Sequence, residues 1–194
     1  LKGEIQEIFN DSSRVRDVFV EQGFDSLVQA VNILVDVLKG GNKILIFGNG
    51  GSAADAQHLA AEFVNRYIIE RPPLPAMALT TDSSVLTAIG NDYSYDEIFE
   101  KQIKALGKKG DAALGISTSG RSANVRRGLK AATDLGLVAI GIGGPSDSPM
   151  RQDCTCYIPV EGGCTPRIQE VHLLIEHTIV EMVDRRLFGN SKGS

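Results

Sequence analysis

The sequence predicts an α/β fold built on five short, mainly parallel strands, and three observations carry that prediction. Five apolar runs, "KILIF" (43–47), "AMAL" (76–79), "AALGIS" (112–117), "LVAIGI" (137–142) and "CTCYIPV" (154–160), have strand length and are bounded by Gly, Pro or polar residues. Helical patterns lie between several of them, at 52–67, 95–106 and 122–135. The alternation is regular, and parallel neighbours need crossovers of this kind, so a centrally buried parallel sheet follows.

Ahead of the first strand, Leu27, Val28, Val31, Leu34, Val35 and Leu38 recur at helical spacing and stop at Gly40-Gly41. Upstream, Ile5, Ile8 and Phe9, then Val15, Val18 and Phe19, predict a further helix, with breaks expected near residues 10–13 and at Gly23. These stripes suit either covering the sheet or packing against another subunit. The last helix is expected over 167–187, following Pro166. One domain is expected over 1–194: a helical segment 1–40, an α/β core 41–189 and a polar tail 190–194 that frays.

Composition narrows the function. With 42% hydrophobic residues in 194, the chain has enough apolar surface for one buried core. Acidic residues outnumber basic ones 24 to 20 and no basic cluster is interleaved with aromatics, which argues against nucleic-acid binding. The apolar runs fall short of the ~18 residues of a membrane span. The N-terminal "LKGEIQEIFNDSS" is charged and unlike a signal peptide, so a cytoplasmic protein with no membrane partner is expected. Cys154, Cys156 and Cys164 are odd in number and lack C-x-x-C spacing, so they are expected to be packing residues.

Ligands of such sheets bind beyond the carboxyl ends of the strands, and two of those ends are chemically unusual here. After the first strand, "FGNGGSAAD" offers Gly48, Gly50 and Gly51 for close backbone approach, with Ser52 placed to cap the next helix. Its spacing fits neither G-x-G-x-x-G nor G-x-x-x-x-G-K-[ST], so a nucleotide is a poor fit, while a helix start still favours an anion. After the third strand, "GISTSGRSANV" crowds Ser117, Thr118, Ser119 and Ser122 onto a strand-to-helix junction, a hydroxyl cradle suited to a small phosphomonoester.

His58 and Glu62 stand at i and i+4 on the helix begun by the first loop and share a face. The last helix offers two sets: Gln169 with His177, two turns apart and within ~80° around the axis, or His172 with Glu176 at i, i+4, which spacing slightly favours. An imidazole and a carboxylate beside a phosphate suit acid–base work on a sugar phosphate. With a second His and an amide oxygen they also suit zinc. Asn91 and Asp92 in "IGNDYSYDEIF" are expected in a loop, as a plain turn or as a polyol contact.

Taken together, "GNGGSAADAQHLAAEF", "RPPLPAMALTTDSSVLTAIGNDYSYDEIF", "GDAALGISTSGRSANV" and "TPRIQEVHLLIEH" resemble the SIS (sugar isomerase) domain family. Within it they are similar to the phosphoheptose isomerases, which act on D-sedoheptulose 7-phosphate. The resemblance runs over nearly the whole chain. It implies a single three-layer αβα domain, and a homotetramer with N-terminal helices between subunits and sites at the interfaces. It implies that Asn49, Gly50, Gly51, Ser52, Glu62 and Gln169 contact substrate. Ser117, Thr118, Ser119 and Ser122 would cradle the phosphate, and Asn91 and Asp92 would meet the sugar. It also implies one zinc ion (Zn2+) per subunit on His58, Glu62, Gln169 and His177, with Glu62 and His177 as the catalytic proton-transfer pair. His172 and Glu176 would then be structural.

The implied reaction turns the ketose into D-glycero-D-manno-heptose 7-phosphate, the first step toward heptose for bacterial surface glycans such as the lipopolysaccharide core. Ala53, Ala54, Arg121 and Pro166 depart from what many members carry, which touches fine substrate contacts only. The competing expectation is a non-catalytic adaptor of the same fold that binds the bacterial replication initiator. It resembles this chain in "TTDSSVLTAI" but lacks the pair kept here as Glu62 and His177.

Overall fold

Strands β1 (Ile44–Gly48), β2 (Ala76–Ala78), β3 (Ala112–Ser117), β4 (Val138–Gly143) and β5 (Cys156–Pro159) form one parallel sheet in the order β2-β1-β3-β4-β5. The computed structural model describes residues 1–189, and the tail expected to fray lies outside the described residues. Every residue of β1 and β3 is buried, which is why their sequences read as unbroken apolar runs.

Side chains alternate between two cores. Ile44, Ile46, Leu114, Ile116, Ile140 and Ile142 pack with α1 (Lys2–Gln22), α2 (Phe24–Lys39), α3 (Gly51–Val64) and α7 (Thr165–Phe188). Leu45, Phe47, Ala113 and Ala139 face the other way, against α5 (Ile98–Leu106) and α6 (Ala123–Asp134). The result is three layers, αβα. The short α4 (Ser83–Asp92) buries none of its residues. Two 3₁₀ turns, Tyr95–Glu97 and Pro149–Asp153, complete the described elements. No single helix among the described residues is long and apolar enough to cross a membrane.

From β1 the chain crosses to β2 on one side, then returns to place β3 on the other side of β1. The connections therefore diverge between β1 and β3, the point where an open α/β sheet leaves a crevice at its carboxyl edge. The glycine loop after β1 and the serine loop after β3 flank that crevice.

Four local expectations are corrected. The first helix is continuous from Lys2 to Gln22, with no break at 10–13; the chain breaks only at Gly23, bending by 72° into α2. Asn10 and Asp11 are tied within the helix, Gln6 donating to Asn10 at 3.0 Å and Arg14 to Asp11 at 2.5 Å, and weak helix formers cost less than about 1 kcal/mol each. Helix α3 stops at Val64, short of residue 67. Asn91 and Asp92 are not in a loop but close α4, whose start is capped by Asp82 accepting the Val85 N–H at 2.9 Å. Helix α7 begins at Thr165, with Pro166 inside its first turn, where a missing N–H leaves no bond unmade.

Of the cysteines, Cys156 is buried and Cys154 half-buried, and burial pushes their thiols up to about 11 and about 12. Cys164 is exposed at the start of α7, so it is not a packing residue.

Candidate active site

The glycine loop is shaped by two needs. Gly50 has φ +55°, a conformation side chains disfavour, and it stands as the N-cap of α3. Gly51 opens the helix, and a Cβ there would stand 2.5 Å from Gln169 Oε1, so only glycine lets that amide lie on the loop. Because the cap is a glycine, Ser52 does not cap α3; it lies buried in the first turn.

Gln169 Nε2 donates to Asp55 Oδ2 at 2.9 Å. That bond fixes the amide with its oxygen as the atom left for a ligand, since no donor among the described residues meets Oε1. Burial pushes the Asp55 carboxyl above its usual range, against the opposing pull of the Gln169 bond and of His58. Asn49 is held by buried Asn124 through a reciprocal amide pair of 2.8 and 2.9 Å, and the Tyr95 hydroxyl donates to it at 3.3 Å.

In the neighbouring loop Ser117 and Ser122 bring their hydroxyls to 3.1 Å, and Ser119 Oγ accepts the Arg121 N–H at 3.2 Å. Ser117 is buried, Thr118 and Ser122 are half-buried and Ser119 is exposed, so the hydroxyls grade from floor to rim. Ser122 is the N-cap of α6. Two helix N-termini, those of α3 and α6, thus open onto one crevice, which favours an anion there.

About two and three turns into α3 the chemistry changes. His58 Nε2 lies 2.8 Å from His177 Nε2 and 3.9 Å from Glu62 Oε1. At 2.8 Å one ring nitrogen carries the proton and the other accepts it. Tyr67 stacks on His177 with centroids 5.5 Å apart and planes 22° apart. Burial, then Glu181 and Glu62, push the Tyr67 hydroxyl up. His58 and Glu62 keep part of their side chains open to solvent, at 41% and 22% exposure, so a ligand can reach them.

The alternative pair on α7 is sealed instead. His172 and Glu176 are fully buried. His172 Nε2 donates to the Gly143 carbonyl at 3.0 Å, and burial lowers its pKa to about 4 despite that bond. Burial, with a smaller push from Asp55, raises Glu176 to about 9. His172 Nδ1 and both Glu176 carboxyl oxygens have no partner among the described residues. Asn91 and Asp92 are exposed, Asn91 donating to Asp92 at 2.8 Å, and no bond among the described residues joins them to the rest of the site. Tyr95, three residues further on, does reach Asn49.

Among the described residues no three His, Cys, Asp or Glu side chains are close enough as they stand to enclose an ion. The donor chemistry nevertheless fits zinc: two imidazoles with facing nitrogens, a carboxylate beside them, and an amide oxygen turned outward by Asp55.

Sequence reasoning missed Asp55, Tyr67, Arg71, Tyr95 and Asn124. Asp55 alone left a trace, three residues before His58 on the same helix; the others act across gaps that spacing does not encode.

Comparison with known proteins identifies the family of the chain. The SIS domain family matches residues 7–144. A phosphoheptose isomerase of Nitratidesulfovibrio vulgaris (strain Miyazaki F) is 47% identical over 186 residues, covering 96% of this chain and 89% of the relative. One from Aliarcobacter butzleri is 54% identical over 168 residues, covering 87% and 89%. The solved phosphoheptose isomerase of Neisseria gonorrhoeae superposes with a TM-score of 0.89 at 40% identity, covering 95% of this chain and 98% of that one.

Proposed function

Since the chain belongs to the phosphoheptose isomerases of the SIS domain family, we infer that it isomerises D-sedoheptulose 7-phosphate to D-glycero-D-manno-heptose 7-phosphate for heptose biosynthesis. The observation that carries the assignment of roles is that His58 lies 2.8 Å from His177 and 3.9 Å from Glu62, on the helix that starts at the glycine loop.

Ser117, Thr118, Ser119 and Ser122 bind the phosphate with the α6 N-terminus. Asn49, fixed by Asn124, and the backbone of Gly50, Gly51 and Ser52 hold the sugar chain together with Gln169. Asn91 and Asp92 contact its hydroxyls. Glu62 takes a proton from C1, the C1–H electrons form the C1–C2 double bond, and the C2 carbonyl oxygen is protonated through His177. The enediol then loses the O1 proton to His177 and regains a proton at C2 from Glu62. A zinc ion held by His58, Glu62, Gln169 and His177, one per subunit, would polarise the substrate oxygens.

The protein acts in the cytoplasm, feeds heptose to surface glycans such as the lipopolysaccharide core, and works as a homotetramer. Supporting assembly, Ile5, Ile8, Phe9, Val20, Phe24 and Val28 are exposed along α1 and α2. The adaptor alternative is not favoured, because the matched relatives are isomerases and the chain keeps both Glu62 and His177.

The test is to follow aldose formation from sedoheptulose 7-phosphate with and without a chelator. Glu62→Gln is expected to lower kcat by at least about 100-fold. Full turnover in a folded Glu62→Gln protein sinks the base assignment. Activity that survives complete chelation removes zinc from the reaction.

A further inference from the structure

The loop 65–75 that leaves α3 carries Arg71, whose side chain is 1% exposed. Its Nη2 donates to the Glu62 carbonyl at 2.8 Å, and its Nη1 to those of Phe63 at 2.6 Å and of Asn65 and Pro72 at 3.2 Å. Its Nε donates to Asp184 Oδ1 at 2.9 Å. Glu62 and Phe63 stand in the last turn of α3, where carbonyls lack partners within the helix and a cation meets the negative end of the dipole. Asp184 stands on α7 two turns beyond His177 and is 4% exposed in its side chain.

One guanidinium therefore ties the peptide unit of Glu62 to the helix that bears His177. The loop it anchors also lays Tyr67 flat against the His177 ring. Removing two charges from water is costly, and well-packed apolar residues serve stability as well, so stability alone does not account for the pair. Asp184 Oδ2 has no partner among the described residues, which leaves the bond to Arg71 as the group's evident purpose. Proton transfer is acutely sensitive to placement: a shift of about 1 Å can cost about 100-fold in rate.

We propose that Arg71 is a positioning residue for the isomerisation, setting through Asp184 the gap between α3 and α7 and hence the placement of Glu62 against His177. The proposal rests on the assignment of those two residues as the proton-transfer pair.

Truncating Arg71 alone would strand a buried carboxylate and could unfold the chain, so the clamp is best removed whole. The test compares Arg71→Met/Asp184→Leu, Arg71→Lys, Glu62→Gln and Ile103→Ala. Ile103 is buried on the opposite face of the sheet, away from the crevice. Activity on sedoheptulose 7-phosphate is measured per folded molecule, well below each variant's melting temperature.

The double variant is expected to lose about 10- to 100-fold in kcat with KM within about threefold, since the phosphate cradle is untouched. Arg71→Lys, which keeps the charge but not the fork, should fall between it and the parent. Ile103→Ala should lower the melting temperature with kcat unchanged. If the double variant turns over like the parent while Glu62→Gln is inactive, the clamp proposal is overturned and the proton-transfer assignment stands. If Glu62→Gln itself retains turnover, that assignment falls and the clamp's role in catalysis falls with it.

Discussion

His172 and Glu176 show how much one buried residue can say about pH. In the unfolded chain His172 takes a proton below about 6.5, whereas in the fold burial delays this to about 4. Its contribution to stability is complete above pH 6.5 and is lost as pH falls toward 4. Glu176 runs the other way. Unfolded it releases its proton near 4.5, but folded it keeps it to about 9, so its contribution is complete below 4.5 and is lost as pH rises toward 9. Between 4.5 and 6.5 the two slopes, each at most about 1.4 kcal/mol per pH unit, oppose one another. Stability is therefore expected to decline from pH 6.5 to 9, and Glu176→Gln, which mimics the protonated acid, should flatten that decline. Urea midpoints measured across this range decide it: an unchanged slope in the variant means Glu176 is not held protonated. The sequence could not make this distinction. Spacing slightly favours His172–Glu176 over Gln169–His177, and only tertiary packing tells that the favoured pair is the one sealed against β4.

At the scale of elements, Gly51 separates binding from folding. It is the first residue of α3 and has an ordinary φ, so alanine suits the backbone there. What an added methyl meets is the amide end of Gln169, a flexible group that can swing aside. Gly51→Ala is expected to melt within a few degrees of the parent yet lose about tenfold or more in kcat/KM, because Gln169 is pushed off Asp55. A variant with parental kcat/KM would show that the placement of Gln169 does not matter to turnover.

The strands were legible for a physical reason. Burial on both faces leaves only apolar residues between turn formers, so β2, β3 and β5 lie within their predicted runs, while β1 and β4 each extend one residue beyond, to Gly48 and Gly143. Helix α4 was not legible, because its apolar face, Val85, Leu86 and Ile89, is short and only partly buried, which leaves the Asp82 cap as the clearest signal. The end of α3 was hidden as well, since it is fixed by Arg71 from beyond the helix.

At the scale of the molecule, the site depends on a strand order that no local pattern encodes. The glycine loop and the serine loop are more than sixty residues apart in sequence, and they meet because β1 and β3 are neighbours at the point where the crossovers diverge. The residues of each loop could be read in advance; their meeting could be expected only through the family resemblance. No hydrogen bond among the described residues joins Asn91 or Asp92 to the cradle, so the sugar contact proposed for them is one the proposed subunit interface would have to complete.

Helix α1 carries that thought furthest. Of its 21 residues only Val15 and Phe19 are buried by its own chain. If the homotetramer proposed above covers its exposed apolar residues, α1 draws order from mass action and its helicity is expected to depend on protein concentration. On serial dilution the far-UV circular dichroism should lose helix as the assembly dissociates, while the buried strands persist. Phe9→Asp should produce the same loss at concentrations where the parent stays intact. Ellipticity that holds constant through dissociation would mean that α1 stands alone.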